Sequence, residues 1–274
     1  MTLTLSSQLH TPAQQALKDG DTAEALRLLQ QQIRANPQDA KLRIFLFQLL
    51  CVLGQWDRAL NQLTVISELD REASPMVQTY REVIRCEVLR AAVLKGTKAP
   101  LLFGEPQPWL ALLIEAMLRE GRGDVADAEQ LRARAFDEAP TTRGTAGDHA
   151  FEWIADADSR LGPVLEIIIN GKYYWLPFSR LSRIEFEAPV DLRDTVWLPA
   201  QFTLATGAEA VGFVPTRYPG SEGAAAGYQL ARLTDWQEPH PGYFTGLGQR
   251  MFMAGELELP ILDLRVLELE GSEA

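Results

Sequence analysis

A glycine, an alanine and a large apolar residue recur at fixed spacing in the first half of this chain, and nothing else in it limits the fold so strongly. Gly20 is followed by Ala25, Leu29 and Pro37, at offsets of five, nine and seventeen residues. Thirty-four residues later Gly54, Ala59 and Leu63 return in the same register, with Arg71 where the proline would stand. A third copy reads Gly123, Ala128 and Pro140, with Arg132 at the apolar position, 69 residues after the second and so close to two periods away.

Thirty-four residues is the period of the tetratricopeptide helix pair, and each position has a physical role in such a pair. Glycine supplies the left-handed turn between the helices. Alanine lets the second helix approach its neighbour, the larger residue fills the space beside it, and proline ends the helix. The periodicity predicts helices over 12–19, 22–35, 39–53 and 57–72, a longer one from Pro75 to about Lys95, one opened by Pro108, and one over 124–138. Residues 96–107 read as a loop.

Pairs of this kind stack into a superhelix whose inner face receives a peptide or helix. The inner positions are Gln14, Leu17, Lys18, Ile44, Gln48, Cys51, Leu110, Leu113 and Met117. Singly, the apolar members read as core between helices; together they are a candidate partner groove.

The pattern changes after residue 140. APTTRGTAGD (139–148) has the composition of a linker, and Phe151 to Pro163 reads as a short junction helix with Trp153 and Ile154 inward. Val164–Ile169 and Lys172–Leu176 then flank Asn170-Gly171, the pair that supplies the positive φ angles of a tight hairpin turn. Further strands are expected around 183–186, 195–199, 201–206, 209–213, 229–233 and 262–269. The expected fold is therefore a multidomain α and β chain. An all-α tetratricopeptide-like superhelix (1–140) and a linker with its junction helix (141–163) lead into a β-rich α+β module (164–274), a partly open barrel or a sandwich.

Composition narrows the function classes. The 274 residues carry 26 Lys+Arg against 37 Asp+Glu, a net charge of -11, and the residues after Pro163 hold 8 basic and 15 acidic side chains. That balance argues against a phosphate-backbone binder and against docking on anionic lipid. The first residues lack the basic and apolar regions of a signal peptide, and the longest apolar run, 42–53, is too short and too interrupted to span a bilayer. With Cys51 and Cys86 both in apolar helical stretches, a cytoplasmic protein is expected.

Chemistry is sparse. His10, His149 and His240 are scattered, no His/Cys/Asp spacing resembles a zinc site, and GSEGAAAG (220–227) lacks the features of a phosphate-binding loop, so no metal or cofactor is expected. On a junction helix Glu152 and Asp156 would share a face, either as paired carboxylates of an acid/base site or as a solvated face with Arg160 as the partner of Asp156. Tyr173, Tyr174 and Trp175 alternate between the two faces of a strand, which leaves Tyr174 on the face that another surface must cover.

FEWIADADSRLGPVLEIIINGKYYWLPF (151–178) resembles the signature of the ImpE family, also called TagJ or SciE-type, accessory proteins of bacterial type VI secretion systems. LFGEPQPWLALLIEA (102–116), RDTVWLPAQF (193–202) and GQRMF (248–252) extend the resemblance over nearly the whole chain. It implies a non-enzymatic cytoplasmic adaptor that binds the N-terminal helical segment of the small contractile-sheath subunit, linked to sheath assembly or to recycling by a ClpV-type unfoldase. It also implies that Phe151, Trp153, Ile154, Asp156, Asp158, Arg160 and Tyr174 mark the place where the two modules dock. The alternative is a general tetratricopeptide-type chaperone or scaffold for another secretion component.

Overall fold

The computed structural model describes residues 11–271, so His10 lies outside the described residues. Seven helices come first: α1 (Pro12–Lys18), α2 (Thr22–Ala35), α3 (Ala40–Val52), α4 (Trp56–Leu69), α5 (Ser74–Leu94), α6 (Pro108–Glu120) and α7 (Val125–Glu138). Local chemistry sets their starts. Thr11 and Gln14 form a capping box on α1, Asp21 and Asp39 accept the first free N–H groups of α2 and α3, and proline stands in the first turn of α1, α5 and α6.

The repeat is built as its spacing requires. Gly20, Gly54 and Gly123 have φ of +81°, +64° and +87°. Ala25, Ala59 and Ala128 are fully buried, as are Leu29 and Leu63. Arg132, the exception to the pattern, is buried too. Its guanidinium lies 3.1 Å from Glu120 and 4.2 Å over the ring of Tyr243, so an aromatic face from the second half takes the place of an apolar neighbour.

Fourteen strands accompany the helices. They are β1 (Leu101–Leu102), β2 (Gly144–Ala146), β3 (His149–Phe151), β4 (Ile154–Asp156), β5 (Val164–Ile169), β6 (Lys172–Pro177) and β7 (Leu181–Phe186), then β8 (Trp197–Leu204), β9 (Glu209–Pro215), β10 (Thr234–His240), β11 (Tyr243–Gly248), β12 (Met251–Ala254), β13 (Leu257–Pro260) and β14 (Val266–Leu269). A short helix, α8 (Ala226–Gln229), interrupts them. Nine strands form one open sheet in the order β1-β6-β5-β9-β8-β7-β14-β2-β3, antiparallel except for β1 with β6. Three more form the sheet β13-β12-β4, and β10 and β11 form a separate hairpin. No barrel closes.

At β5 the large sheet is buried on both faces, which explains that strand's nearly unbroken apolar run. Val164 and Ile168, with Tyr173, Trp175 and Trp197, share one core with the helices. Leu165, Ile167 and Ile169 point the other way and pack with Phe252 and Ala254 of the small sheet. The result is three layers: helices, large sheet, small sheet. The first core runs without a break from α1 to β8, so the boundary read in the sequence near residue 140 is not a boundary in the packing.

Several expected elements differ. Phe151–Pro163 is not a helix: it supplies the end of β3, then β4, then a turn. The carboxylates of Asp156 and Asp158 accept the N–H groups of Asp158 and Arg160, both at 2.9 Å, which favours turns over a helix, while β4 pairs with β12. The linker contributes β2, which pairs with β14. Residues 229–233 form the end of α8 and a turn with Ala231 at φ +51° rather than a strand. The two strands expected over 195–206 are one, β8, and the last strand is confined to Val266–Leu269. Strands β10 and β11 lie in a polar, glycine-bearing stretch that gives no alternation to read, and β12 and β13 are four residues each, too short to stand out.

The repeat glycines supply a test of how the β strands cover the helices. Gly123 has open space around it, whereas a Cβ on Gly54 would stand 2.5 Å from the side chain of Glu222. Gly123→Ala is expected to cost about 1 kcal/mol through the left-handed φ alone, and Gly54→Ala about 1 kcal/mol more because Glu222 must move. Urea unfolding of the two variants measures the difference; equal losses would contradict the contact.

Candidate functional site at the junction of the two halves

The charged residues that carry the architecture lie in the layer between helices and sheet. Glu166, in the middle of the apolar β5, has no exposed side-chain surface. Arg90 of α5 grips it with two bonds, Nε to Oε1 and Nη2 to Oε2, both 2.9 Å. Arg250 bonds the same carboxylate and, with its other nitrogen, Asp156. The Tyr173 hydroxyl donates to Glu166 and accepts from Trp175 Nε1 at 2.7 Å. On the helical side Arg90 also meets Glu87 at 2.8 Å, and Glu87 accepts Trp197 Nε1 at 2.9 Å. Asp156 accepts the Tyr218 hydroxyl at 2.9 Å. One connected set of bonds thus runs from α5 through the large sheet to β4.

Burial alone would raise the Glu166 carboxyl, but the charges of Arg90 and Arg250 outweigh it and hold the group down at about 2. Asp156 goes the other way. Its burial, opposed by Arg250 and reinforced by the negative charge of Asp158, pushes it up to about 6. Asp158 is held by Arg160 Nε at 2.8 Å and by the N–H of Gly246 at 2.9 Å.

Every helix meets the second half. Arg232 donates to the carbonyls of Leu17 (2.7 Å) and Lys18 (3.0 Å) at the end of α1, and Thr22 of α2 donates to Gln229 at 2.8 Å. Arg217 reaches the carbonyl of Val52 at 2.7 Å, placing a cation at the C-terminus of α3 where the helix dipole favours it. Burial lowers that guanidinium to about 10. Trp56 of α4 and Tyr80 of α5 flank Trp197, at 5.8 and 6.0 Å between centroids. His240 stacks on Tyr243 at 4.4 Å and sits 3.0 Å from Glu120 of α6, while Arg132 of α7 covers the same tyrosine.

The residues nominated for a partner groove are placed differently from one another. Leu17, Leu110, Leu113, Met117, Cys51 and Gln48 are buried, Ile44 is half-buried, and Lys18 is exposed. Gln14 caps α1, accepting the Thr11 N–H at 3.0 Å. Their apolar buried members, Leu17, Cys51, Leu110, Leu113 and Met117, lie in the core that the helices share with the large sheet.

Of the junction set, Phe151, Ile154, Asp156 and Asp158 are buried, and Trp153 is 41% exposed. Arg160 partners Asp158, not Asp156 as a helix would have arranged. Glu152 turns to solvent beside Arg143 at 2.8 Å, so it shares no face with Asp156. Tyr174 is covered by Phe103, edge-on at 5.4 Å, from the loop that carries β1. The pair facing the helices is Tyr173 and Trp175. That loop is anchored by the N–H of Phe103 to the carbonyl of Trp175 (3.0 Å) and by Arg180 to the carbonyl of Glu105 (2.5 Å).

Glu166, Arg90, Arg250 and Trp197 were not singled out by the sequence reading. A signal existed: a lone carboxylate inside VLEIII must find cations, and Arg250 stands within GQRMF.

Clefts stay open on the surface. One of about 560 Å³ lies between α5 and strands β7 to β9, and one of about 370 Å³ lies between Phe136 and Trp153. Among the described residues no helix is long and apolar enough to cross a membrane.

Comparison with known proteins agrees with this geometry. A tetratricopeptide repeat model matches residues 16–81, from the end of α1 through α4 to the start of α5, and the ImpE protein model matches 148–268. The type VI secretion system accessory component TagJ of Pseudomonas aeruginosa is 48% identical over 267 residues, 96% of this chain and 92% of that protein. The chain belongs to the ImpE/TagJ family. A crystal structure of a Vibrio parahaemolyticus protein, 28% identical, superposes with a TM-score of 0.87 over 96% of this chain and 99% of that one. The stretches by which the sequence resembles the ImpE/TagJ family contain the network's members on the strand side, Asp156, Glu166, Tyr173 and Trp175 in the first, Trp197 in RDTVWLPAQF and Arg250 in GQRMF, while Glu87, Arg90 and Tyr218 lie outside them.

Removing one member of such a network leaves a charge buried without its partner. Arg250→Met is expected to cost about 3–5 kcal/mol in denaturant unfolding; a loss below 1 kcal/mol would contradict the network.

The pH dependence has a sign. Glu166, lowered to about 2 from an ordinary 4.5, contributes stability above pH 4.5 that disappears as pH falls toward 2. Asp156, raised to about 6, contributes in the opposite sense, its stabilising share growing as pH falls from 6 toward 3.8. The stability difference between the parent chain and Glu166→Gln should therefore shrink by about 3 kcal/mol between pH 5 and pH 2. A difference independent of pH in that window would contradict the assignment.

Proposed function

We propose that this chain is a non-enzymatic cytoplasmic adaptor of type VI secretion that captures the N-terminal helical segment of the small contractile-sheath subunit. By holding that segment it takes part in sheath assembly or in recycling by a ClpV-type unfoldase. The observation that carries the reading is the 48% identity to TagJ, an accessory component of that system, along 96% of the chain.

The architecture supports an adaptor. The carboxylates that come closest to an acid/base pair are divided between structural roles: Glu152 in solvent with Arg143, and Asp156 and Asp158 committed to Arg250 and Arg160. Helical repeats serve recognition in many proteins, and an amphipathic helix laid on an apolar cleft is a recurring mode. The nominated set Gln14, Leu17, Lys18, Ile44, Gln48, Leu110, Leu113 and Met117 belongs to this proposal with one physical condition. Its buried members, Leu17, Gln48, Leu110, Leu113 and Met117, present no free surface in the folded chain, so capture on an open surface is favoured.

The test is a pull-down of the small sheath subunit by this chain, with and without the subunit's N-terminal helical segment. The reading predicts retention of the intact subunit and at least about a tenfold loss for the truncated one, equivalent to roughly 1.4 kcal/mol. Equal retention of both would refute it.

A further inference from the structure

The cleft between α5 and the large sheet differs from the rest of the surface. Its exposed apolar surface comes from Val211 and Phe213; Val83 and Ile168 border it but are almost fully buried. At 71% exposure Val211 is the most exposed large apolar side chain among the described residues. The fold explains why the cleft is there. Strands β5 and β9 pair only at Ile168 and Phe213, because the Asn170-Gly171 turn ends β5 while β9 continues past it to Glu209. That turn lies against Glu82 of α5, which closes one end.

The rim is of one sign. Glu82, Glu185 and Glu187 all line the cleft, and no Lys or Arg does. Glu185 is paired with Arg183 at 2.7 Å, while Glu82 and Glu187 have no ion-pair partner among the described residues. Three carboxylates around an apolar surface suit a ligand with the opposite arrangement: apolar on one side, cationic at its edges.

The occupant has to come from outside this chain. Neither stretch beyond the described residues, 1–10 or 272–274, contains Lys or Arg, and a second copy would bring a further net charge of -11 against the same acidic surface. We propose that this cleft docks a short amphipathic segment of a partner protein, its apolar side on Val211 and Phe213 and its lysines or arginines on Glu82, Glu185 and Glu187. The proposal rests on the adaptor reading for the existence of a partner, and assigns the surface and the charge of what binds there.

Fluorescence polarisation tests it with the full chain and two labelled 18-residue synthetic peptides of identical helical pattern, one of Leu and Lys, the other of Leu and Glu. The Leu/Lys peptide is expected to bind and the Leu/Glu peptide not to. Glu82→Gln/Glu185→Gln/Glu187→Gln, and separately Val211→Ser, should each weaken Leu/Lys binding about tenfold or more. Glu72→Gln/Glu256→Gln/Glu258→Gln removes the same charge from exposed positions elsewhere and should change it less than twofold. Because all these side chains are at the surface or rim, thermal unfolding should match the parent chain. Equal weakening by both triple variants, or none by the cleft variants, would overturn the proposal.

Repeating the titration with the N-terminal segment of the small sheath subunit separates this assignment from the adaptor reading. If that segment binds parent and cleft variants alike, the cleft assignment fails and the adaptor reading stands. If it does not bind at all while the Leu/Lys peptide still depends on the cleft, the adaptor reading fails and the cleft assignment stands.

Discussion

Everything in this molecule is arranged around one carboxylate, Glu166, fully buried between a guanidinium from each half of the chain. An ionised group in the centre of an apolar strand is costly to bury, and it is tolerated only where its oxygens are fully occupied by donors. Arg90, Arg250 and Tyr173 occupy them. The consequence is directional: the helices can sit on the sheet in only one register, because any slip of α5 by a turn would leave Glu166 and Arg90 buried and apart. Apolar packing of Trp197 against Trp56 and Tyr80 supplies area, but the ion pairs supply the register.

That arrangement changes what the helical repeat is for. In an isolated superhelix the inner face is free to receive a ligand. Here the second half of the chain packs against the helices, with Arg232, Arg217, Trp197, Glu166 and Tyr243 contacting successive helices from α1 to α7. Under the proposed adaptor role, recognition of a partner falls to what the union leaves outside, such as the acidic cleft beside α5 and the cleft between Phe136 and Trp153. Both lie beside the junction, so an intact junction shapes any partner surface there.

The helical half was legible because its determinants are local. Gly20, Gly54 and Gly123 announce left-handed turns by themselves, and Ala25, Ala59 and Ala128 follow at one spacing. The Asn170-Gly171 hairpin was legible for the same reason. The stretch from Phe151 to Pro163 misled because its apolar spacing fits a helix, while Asp156 and Asp158 use their carboxylates to turn the backbone and β4 pairs with a strand about a hundred residues away. Strands β10 and β11 were invisible since the one is largely polar and exposed and the other glycine-bearing, with no alternation to mark them, and β12 and β13 are only four residues each, too short for a period to show. The junction residues were flagged as structural by their resemblance to a family signature, yet the partners that make them so, Arg90 and Arg250, lie far from them in sequence. Long-range charge pairing leaves no period to read.

The central claim is that the two halves are one cooperative body held by this layer, and native-state hydrogen exchange tests it most directly. The slowest amides of α3 and α5 and those of β5 and β8 should open with the same free energy, equal to that of global unfolding. Helical amides that exchange through an opening several kcal/mol easier than that of β5 would mean that the halves come apart independently, and would contradict it.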